Sequence, residues 1–478
     1  MRLFSQCSAL NVCQLTSLAV MACMLSACTV GPTYRTPVLS TFGIPDAWHA
    51  RLAHSGSLLE LAQWWTQFDD SLLSALILSS QKDSPTVAQA EARMRQAHAL
   101  LNVTSAGLFP AVSLAASSTQ SNGTGMTSAK VTSTVQTSDV ATLNASWDLD
   151  LFGGTRRSVE GAAARVTASE QDWHESRVTL AAEVANAYVG RRQCEALLLQ
   201  YEADLASRLE TDRLIRNKIN SGFSAPANAL RTEASVAESR SSLHNQKGLC
   251  ARYANQLVAL TGLVPNDLEA SLEKGKAIIP IPIAMSVPAI PAAVLSQRPD
   301  VASMERMLAS ASANIGVAQA NRMPQLQLAG MIGINRLRVG NNVMNYDTWS
   351  FYPSLSLPVF DGGSGAAQVS LARARSNEAL AAYRQKIRQA VQEVEDALVR
   401  VDIAVQREQA TELAETRYQQ YFEAKTIEFR RGATSLLDLE DARRITVNSK
   451  QSLAAVRLER AQSWIALYKS VGGGWQDR

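Results

Sequence analysis

Nucleophiles, acids and metal ligands are sparse and scattered along this chain. Five histidines occur in 478 residues, and none stands at a spacing that would let two share a metal ion. His174-Glu175 begins a zinc-like phrase, but the second histidine of a His-Glu-x-x-His helix is missing. There is no glycine-rich phosphate loop and no Gly-x-Ser-x-Gly elbow. The reading is therefore of a protein that is not an enzyme, with no catalytic residues, metal or cofactor. What remains is six cysteines and two aspartates, Asp438 and Asp441, just beyond Gly432. Acids there fall where a helix begins and offset the partial positive charge of its amino terminus.

The cysteines divide by place. Arg2 gives a minimal positive start, Leu10 to Met24 is mostly apolar, and Leu25-Ser26-Ala27 supplies small residues, so residues 1–27 read as an export signal. Leu25-Ser26-Ala27-Cys28 is similar to the bacterial lipoprotein signal, whose thiol receives a diacylglycerol before cleavage. Cys28 would then be the first mature residue, S-diacylglycerol-modified and N-palmitoylated; the plainer alternative is ordinary secretion with an incidental cysteine. Thr29, where aspartate marks retention at the inner membrane, favours the outer one. Cys7, Cys13 and Cys23 leave with the leader. Cys194 and Cys250 remain, too few for a disulfide framework or a zinc site. They lie 28 residues either side of Gly222. A hairpin turning there brings them to similar height, so a periplasmic disulfide and two small buried residues both fit.

The elements that carry these residues are written twice. "SPTVAQAEARMRQAHALLNVTSAGLFPAVSLAA" from Ser84 lies over "RPDVASMERMLASASANIGVAQANRMPQLQLAG" from Arg298 without a gap. "LDLFGG" (Leu149 to Gly154) answers "LPVFDGG" (Leu357 to Gly363), and "NSGFSAPANAL" (Asn220 to Leu230) answers "RRGATSLLDLE" (Arg430 to Glu440). Each copy reads as a short helix (84–107; 299–321), two strand-like stretches, a very long helix, a turn at Gly222 or Gly432, and a second long helix (227–261; 433–470). From Ala366 to Arg431 there is neither Gly nor Pro. Within that run Leu380, Tyr383, Ile387, Ala390, Val394, Ala397, Val401 and Ala404 step by threes and fours, the seam of helices packed side by side. The predicted organisation is 1–27 signal; 28–83 extended linker and short helix; 84–275 first repeat; 276–297 proline-rich extended linker; 298–472 second repeat; 473–478 tail. Thr29 to Ala53, with Pro32, Pro37 and Pro45, is expected to run extended and carry the chain away from the membrane.

Gln96 to Ala129, Met323 to Asn335 and Thr348 to Phe360 contain no Asp, Glu, Lys or Arg. Inside them, short segments alternate apolar with small or polar residues, the weak signature of membrane strands of ~9–11 residues. A soluble β-domain of two hairpins is the alternative; if the strands span a membrane, four cannot close a barrel and open edges cannot face hydrocarbon, so copies must share one. With 46 basic against 43 acidic residues, the net charge of +3 gives no pull toward nucleic acid.

"CTVGPTYRTP", "WWTQFDDSLLSAL", "WDLDLFGG", "QRPDV" and "PVFDGG", in that order and on a duplicated frame, resemble the TolC-like outer-membrane factors, specifically their NodT-type lipoprotein branch. The resemblance runs from Cys28 to the carboxyl terminus. It implies a mainly α homotrimer: a 12-stranded β-barrel in the outer membrane, four strands per chain, continuous with a coiled-coil α-barrel across the periplasm. It implies passive conduction of small molecules, with a periplasmic adaptor (membrane fusion) protein and an inner-membrane RND pump as partners. It also implies that Asp438 and Asp441 form the periplasmic gate, six carboxylates in a ring, and that the tips at Gly222, Gly432 and Asn228 meet the adaptor. The chain departs from the pattern at Phe429 and Thr434, where some members carry Tyr and Arg, and Asn228 stands opposite Asp438. An outer-membrane channel of a type I secretion system and a non-pore periplasmic scaffold lipoprotein are the rival readings.

Overall fold

The computed structural model describes residues 29–45, 47–50, 64–127, 130–282 and 291–473; the export signal and Cys28 lie outside them. The order is α1 (Ser71–Asp83), α2 (Pro85–Ala106), β1 (Ala111–Thr127), β2 (Lys130–Leu149), α3 (Gly154–Asn220), α4 (Ala227–Thr261), α5 (Pro265–Leu272), α6 (Pro291–Gln297), α7 (Pro299–Ala320), β3 (Gln325–Val339), β4 (Asn342–Ser356), α8 (Ser364–Arg430) and α9 (Leu436–Ser470). Short 3-10 turns precede α1 at Leu39–Phe42 and Trp64–Phe68.

Each long first helix, α3 or α8, has 67 residues and so extends about 100 Å at ~1.5 Å per residue. Both end in the same way. Gly222 and Gly432 take φ of +77° and +76°, a left-handed conformation that glycine adopts without strain. Phe223 N–H donates back to Lys218 O (2.8 Å) and Gly222 N–H to Ile219 O (2.9 Å); Ala433 to Glu428 (2.9 Å) and Gly432 to Phe429 (3.0 Å) repeat that pair. The heptad seam holds from Tyr383 on: Tyr383, Ile387, Ala390, Val394, Ala397, Val401 and Ala404 are buried, while Leu380 is half-buried.

The contacts sort the chain into two compact units that do not follow the repeats. Residues 29–36, 93–169 and 304–383 form one, and 37–92, 170–303 and 384–473 the other, so each unit draws on both copies. The first unit holds one antiparallel sheet, order β1-β2-β3-β4, with β1 and β4 as open edges. The second holds the main apolar core, in which Trp64 stacks on Tyr468 with centroids 4.2 Å apart and Leu73, Ile77, Val184, Tyr188, Leu257 and Ile465 are sealed from solvent. The phrase "WWTQFDD" thus serves packing: Asp70 caps α1 through the Leu72 and Leu73 amides and accepts from Tyr188 Oη at 2.6 Å.

Several expectations need correction. The strands run 15 to 20 residues rather than ~9–11, because they continue past the apolar stretch into polar hairpin ends. The linker 276–297 is not extended throughout: Pro291 opens a helical turn to Gln297, a position where proline's missing N–H costs nothing. Residues 283–290 of that linker lie outside the described residues. The second hairpin's return helix starts at Leu436, not 433, because Ser435 caps it. The amino-terminal segment is held down: Val30 N–H donates to Phe152 O (3.1 Å), and the Arg157 guanidinium donates to Val30 O (3.2 Å). Gly31 lies so close to Gly316 that a Cβ would meet its Cα at 2.4 Å. Cys194 and Cys250 are disulfide-bonded, with Cα atoms 5.5 Å apart, so the bond is the correct one of the two readings.

Candidate gate and two-faced sheet

At the tip of the second hairpin the sequence Thr434-Ser435-x-x-Asp438 folds into a reciprocal cap. The Asp438 N–H donates to Ser435 Oγ (3.2 Å), while the Asp438 carboxylate accepts from Ser435 Oγ (2.6 Å), Ser435 N–H (3.3 Å) and Thr434 Oγ1 (3.1 Å). These donors, the Ser435 hydroxyl first, hold the Asp438 carboxyl below the usual carboxylate range. Asp441 is half exposed and pairs with Arg444. At the first tip no acid occupies the matching place; Asn228 Nδ2 donates to Ser224 Oγ (3.1 Å). Thr434 therefore caps Asp438. Phe429 is buried against Ile215 and Leu439, with Lys218 Nζ 4.6 Å from its ring centre.

Behind the tip the two hairpins are clasped by groups that the reading of the sequence missed. Arg443 is buried, pairs with Glu440, and donates to Thr211 Oγ1 (2.8 Å) and Ser207 Oγ (3.1 Å) on α3. Ser235 on α4 donates to Glu440 at 3.3 Å and accepts from Arg208 at 2.6 Å. A signal existed: Leu439, Ala442, Arg443 and Thr446 are the buried stripe of α9. Their spacing of three, four and seven puts one member of the Arg443-Arg444 pair inward. Farther along α3, Arg192 donates to Tyr188, Glu195, the Leu272 carbonyl and the Lys274 carbonyl, tying down the chain beyond α5. Arg298 and Asp300 of "QRPDV" form another such knot: Arg298 caps the Ser470 carbonyl (2.8 Å) and pairs with Asp300 (2.7 Å) and Glu393 (2.6 Å).

The sheet register resolves what the charge-free windows do. Side chains alternate between faces, so cross-strand partners define ladders. On one face lie Leu114–Leu143–Ile332–Trp349, then Val112–Ala145–Gly330–Phe351, Trp147–Leu328–Pro353 and Leu149–Leu326–Leu355. On the other lie Ser113–Asn144–Met331–Ser350, Ala115–Thr142–Gly333–Thr348 and Asp148–Gln327–Ser354. The apolar face is open to solvent within one chain: Leu114, Ile332, Ile334, Trp349, Phe351 and Leu355 are each at least 60 % exposed. From Leu326 to Ile334 the apolar stretch extends about 27 Å along the strand, or about 21 Å once tilted by ~40°. Phe109, Val359 and Phe360, exposed just past the strand feet, lengthen it toward the ~25 Å of an outer-membrane barrel's band. Among the described residues no helix is long and apolar enough to cross a membrane.

A sequence model of the family described as outer membrane efflux protein matches residues 76–263 and 290–473, both repeats. The chain belongs to that family. Nodulation protein T of Rhizobium leguminosarum bv. trifolii is 30 % identical over 95 % of this chain and 96 % of its own length. The toluene efflux pump outer membrane protein TtgC of Pseudomonas putida is 30 % identical over 97 % and 96 %. Among solved structures, the outer-membrane channel OprN superposes with a TM-score of 0.82 at 29 % identity, covering 94 % of this chain and all of that one. The family match spans both repeats, and the superposition on OprN covers them together.

Proposed function

We propose that this protein is the exit duct of a tripartite efflux system: a lipid-anchored outer membrane homotrimer that passively conducts small molecules delivered by an inner-membrane RND pump through a periplasmic adaptor. The observation that carries it is the two-faced open sheet. Its apolar face fits hydrocarbon, its hydroxyl- and amide-bearing face fits a water-filled lumen, and its unpaired edges β1 and β4 cannot face lipid. Three copies supply twelve strands, enough for an open channel, whereas two copies supply eight, whose lumen side chains fill. Cys28 then carries the lipid, one residue before the held segment at Thr29.

Asp438 and Asp441 form the gate in this reading, six carboxylates from three copies at the hairpin tips. The Ser435 and Thr434 donors favour the ionised form of Asp438, whose carboxylates in the ring attract cations and narrow the opening. Gly222, Gly432 and Asn228 present the adaptor-facing turns. The relatives' names favour efflux over type I secretion, since TtgC is named for toluene and another relative, CusC, for cations. A pore-less scaffold would have no use for an apolar sheet face.

The test is electrical. The mature chain should run as a heat-modifiable trimer in detergent and conduct ions in planar bilayers. Asp438→Ala with Asp441→Ala should raise single-channel conductance and weaken cation selectivity. A monomeric, silent protein ends the duct reading; a conducting trimer indifferent to the two substitutions removes only the gate.

A further inference from the structure

The apolar face does not continue to the hairpin ends. One ladder beyond Leu114–Leu143–Ile332–Trp349 comes Ala116–Ala141–Ile334–Asp347, and the next is Ser118–Asp139–Arg336–Asn345. Arg338 follows on the same face, two residues past Arg336. Polarity therefore changes across all four strands at one level, as it must where hydrocarbon gives way to headgroups. At that level lies a recess of about 750 Å³. Its apolar floor is Ala116, Ala141 and Ile334, and its polar rim includes Ser118, Asp139, Arg336, Asn345 and Asp347. Ser118 Oγ donates to Asp139 at 2.6 Å, which occupies the carboxylate directly across from Arg336.

From this arrangement we infer a binding site for the headgroup of a phosphorylated glycolipid of the outer leaflet. The inference rests on the barrel reading above, which makes this face the lipid-facing one. Arg336 and Arg338, whose Cα atoms lie about 7 Å apart along the strand at ~3.4 Å per residue, carry the guanidiniums that donate to phosphate oxygens. Asp347 and Asn345 face the hydroxyls of a sugar, which a bare phosphate lacks. The apolar floor continues into the membrane band, so acyl chains leave the recess without crossing a polar rim. A simple anion would have no use for that floor, and a plain hydrocarbon tail none for the rim.

The experiment uses full-length trimers, exchanged into vesicles of phosphatidylcholine containing a bis-phosphorylated glucosamine lipid, then re-extracted and measured for bound glycolipid by native mass spectrometry. Wild-type trimers should retain it. Arg336→Gln with Arg338→Gln should lower retention about thirtyfold, on the scale of two arginines near an anionic surface. Arg336→Lys with Arg338→Lys should recover most of it, and conductance should be unchanged in both. Equal retention by wild type and the double glutamine variant overturns the site. So does complete stripping by millimolar inorganic phosphate, which would show that charge alone is recognised. Because conductance is read on the same samples, loss of the site and loss of the channel are distinguishable.

Discussion

The two long hairpins, products of one duplication, share a backbone and differ in their locks. Both turn through the same glycine-terminated motif, yet α3–α4 is stapled by Cys194–Cys250, while Ala404 and Arg460 stand at the places about 210 residues on. The second hairpin has no such bond: the Ser435–Asp438 cap closes its tip, Arg457 and Arg460 pair with Glu408 between its two helices, and buried Arg443 ties it to α3. A covalent brace sits on the arm without acids at its turn, and hydrogen-bonded, separable contacts sit on the arm that carries the proposed gate.

That contrast can be broken experimentally. The largest effect belongs to the disulfide: a loop of about 57 residues is worth about 4 kcal/mol through the unfolded chain. Reduction should therefore lower protection of α3–α4 amides in hydrogen exchange well before α8–α9 changes, and equal loosening of both would erase the distinction. Next comes Arg443→Met, which strands the Glu440 carboxylate and should cost about 3 kcal/mol, seen as faster exchange in α9 and as easier opening in conductance traces. Third is Asp300. Burial pushes its carboxyl up, but the hydrogen bond and charge of Arg298 and the Lys386 ammonium outweigh this and hold it at about 2. Because the folded value lies below the unfolded one, its stabilisation is complete above about pH 4 and lost as pH falls toward 2. Asp300→Asn should remove about 2 kcal/mol at neutral pH and flatten acid unfolding over that window. The smallest is Ser435→Ala, about 1 kcal/mol from loss of the cap, with local fraying at the second tip and none at the first.

Burial sharpens one further difference. Glu175 is pushed up by desolvation first and by the nearby Asp300 charge second. A raised acid stabilises the fold while protonated and less so as pH rises through its folded value. Glu175→Gln should therefore stabilise the protein at neutral pH, opposite in sign to Asp300→Asn, and thermal melts at two pH values would show it.

The helices were legible because their signal is local. Periodicity in steps of three and four, a 66-residue run without Gly or Pro, and glycine at each turn together define long hairpins from chain order alone. Asp438 and Asp441, the carboxylates of the proposed gate, were legible as acids just past a turn, though the roles of Ser435 and Thr434 in holding Asp438 ionised were not. Arg443 escaped notice because an arginine on a helix is ordinarily solvated, and its burial depends on α3 lying against it. The strands were underestimated since each side of the alternation is weak taken one strand at a time.

By itself, then, the sequence determined the repeat, the helical hairpins and the resemblance that led to the efflux family, all of which depend on order and spacing along one chain. Only the tertiary structure decided that the two cysteines bond, that Arg443 joins two hairpins, and that four alternating strands align their apolar positions into one band with a polar ladder at its end. Those facts depend on register between segments up to about two hundred residues apart, and register is fixed by packing across space rather than by any local pattern.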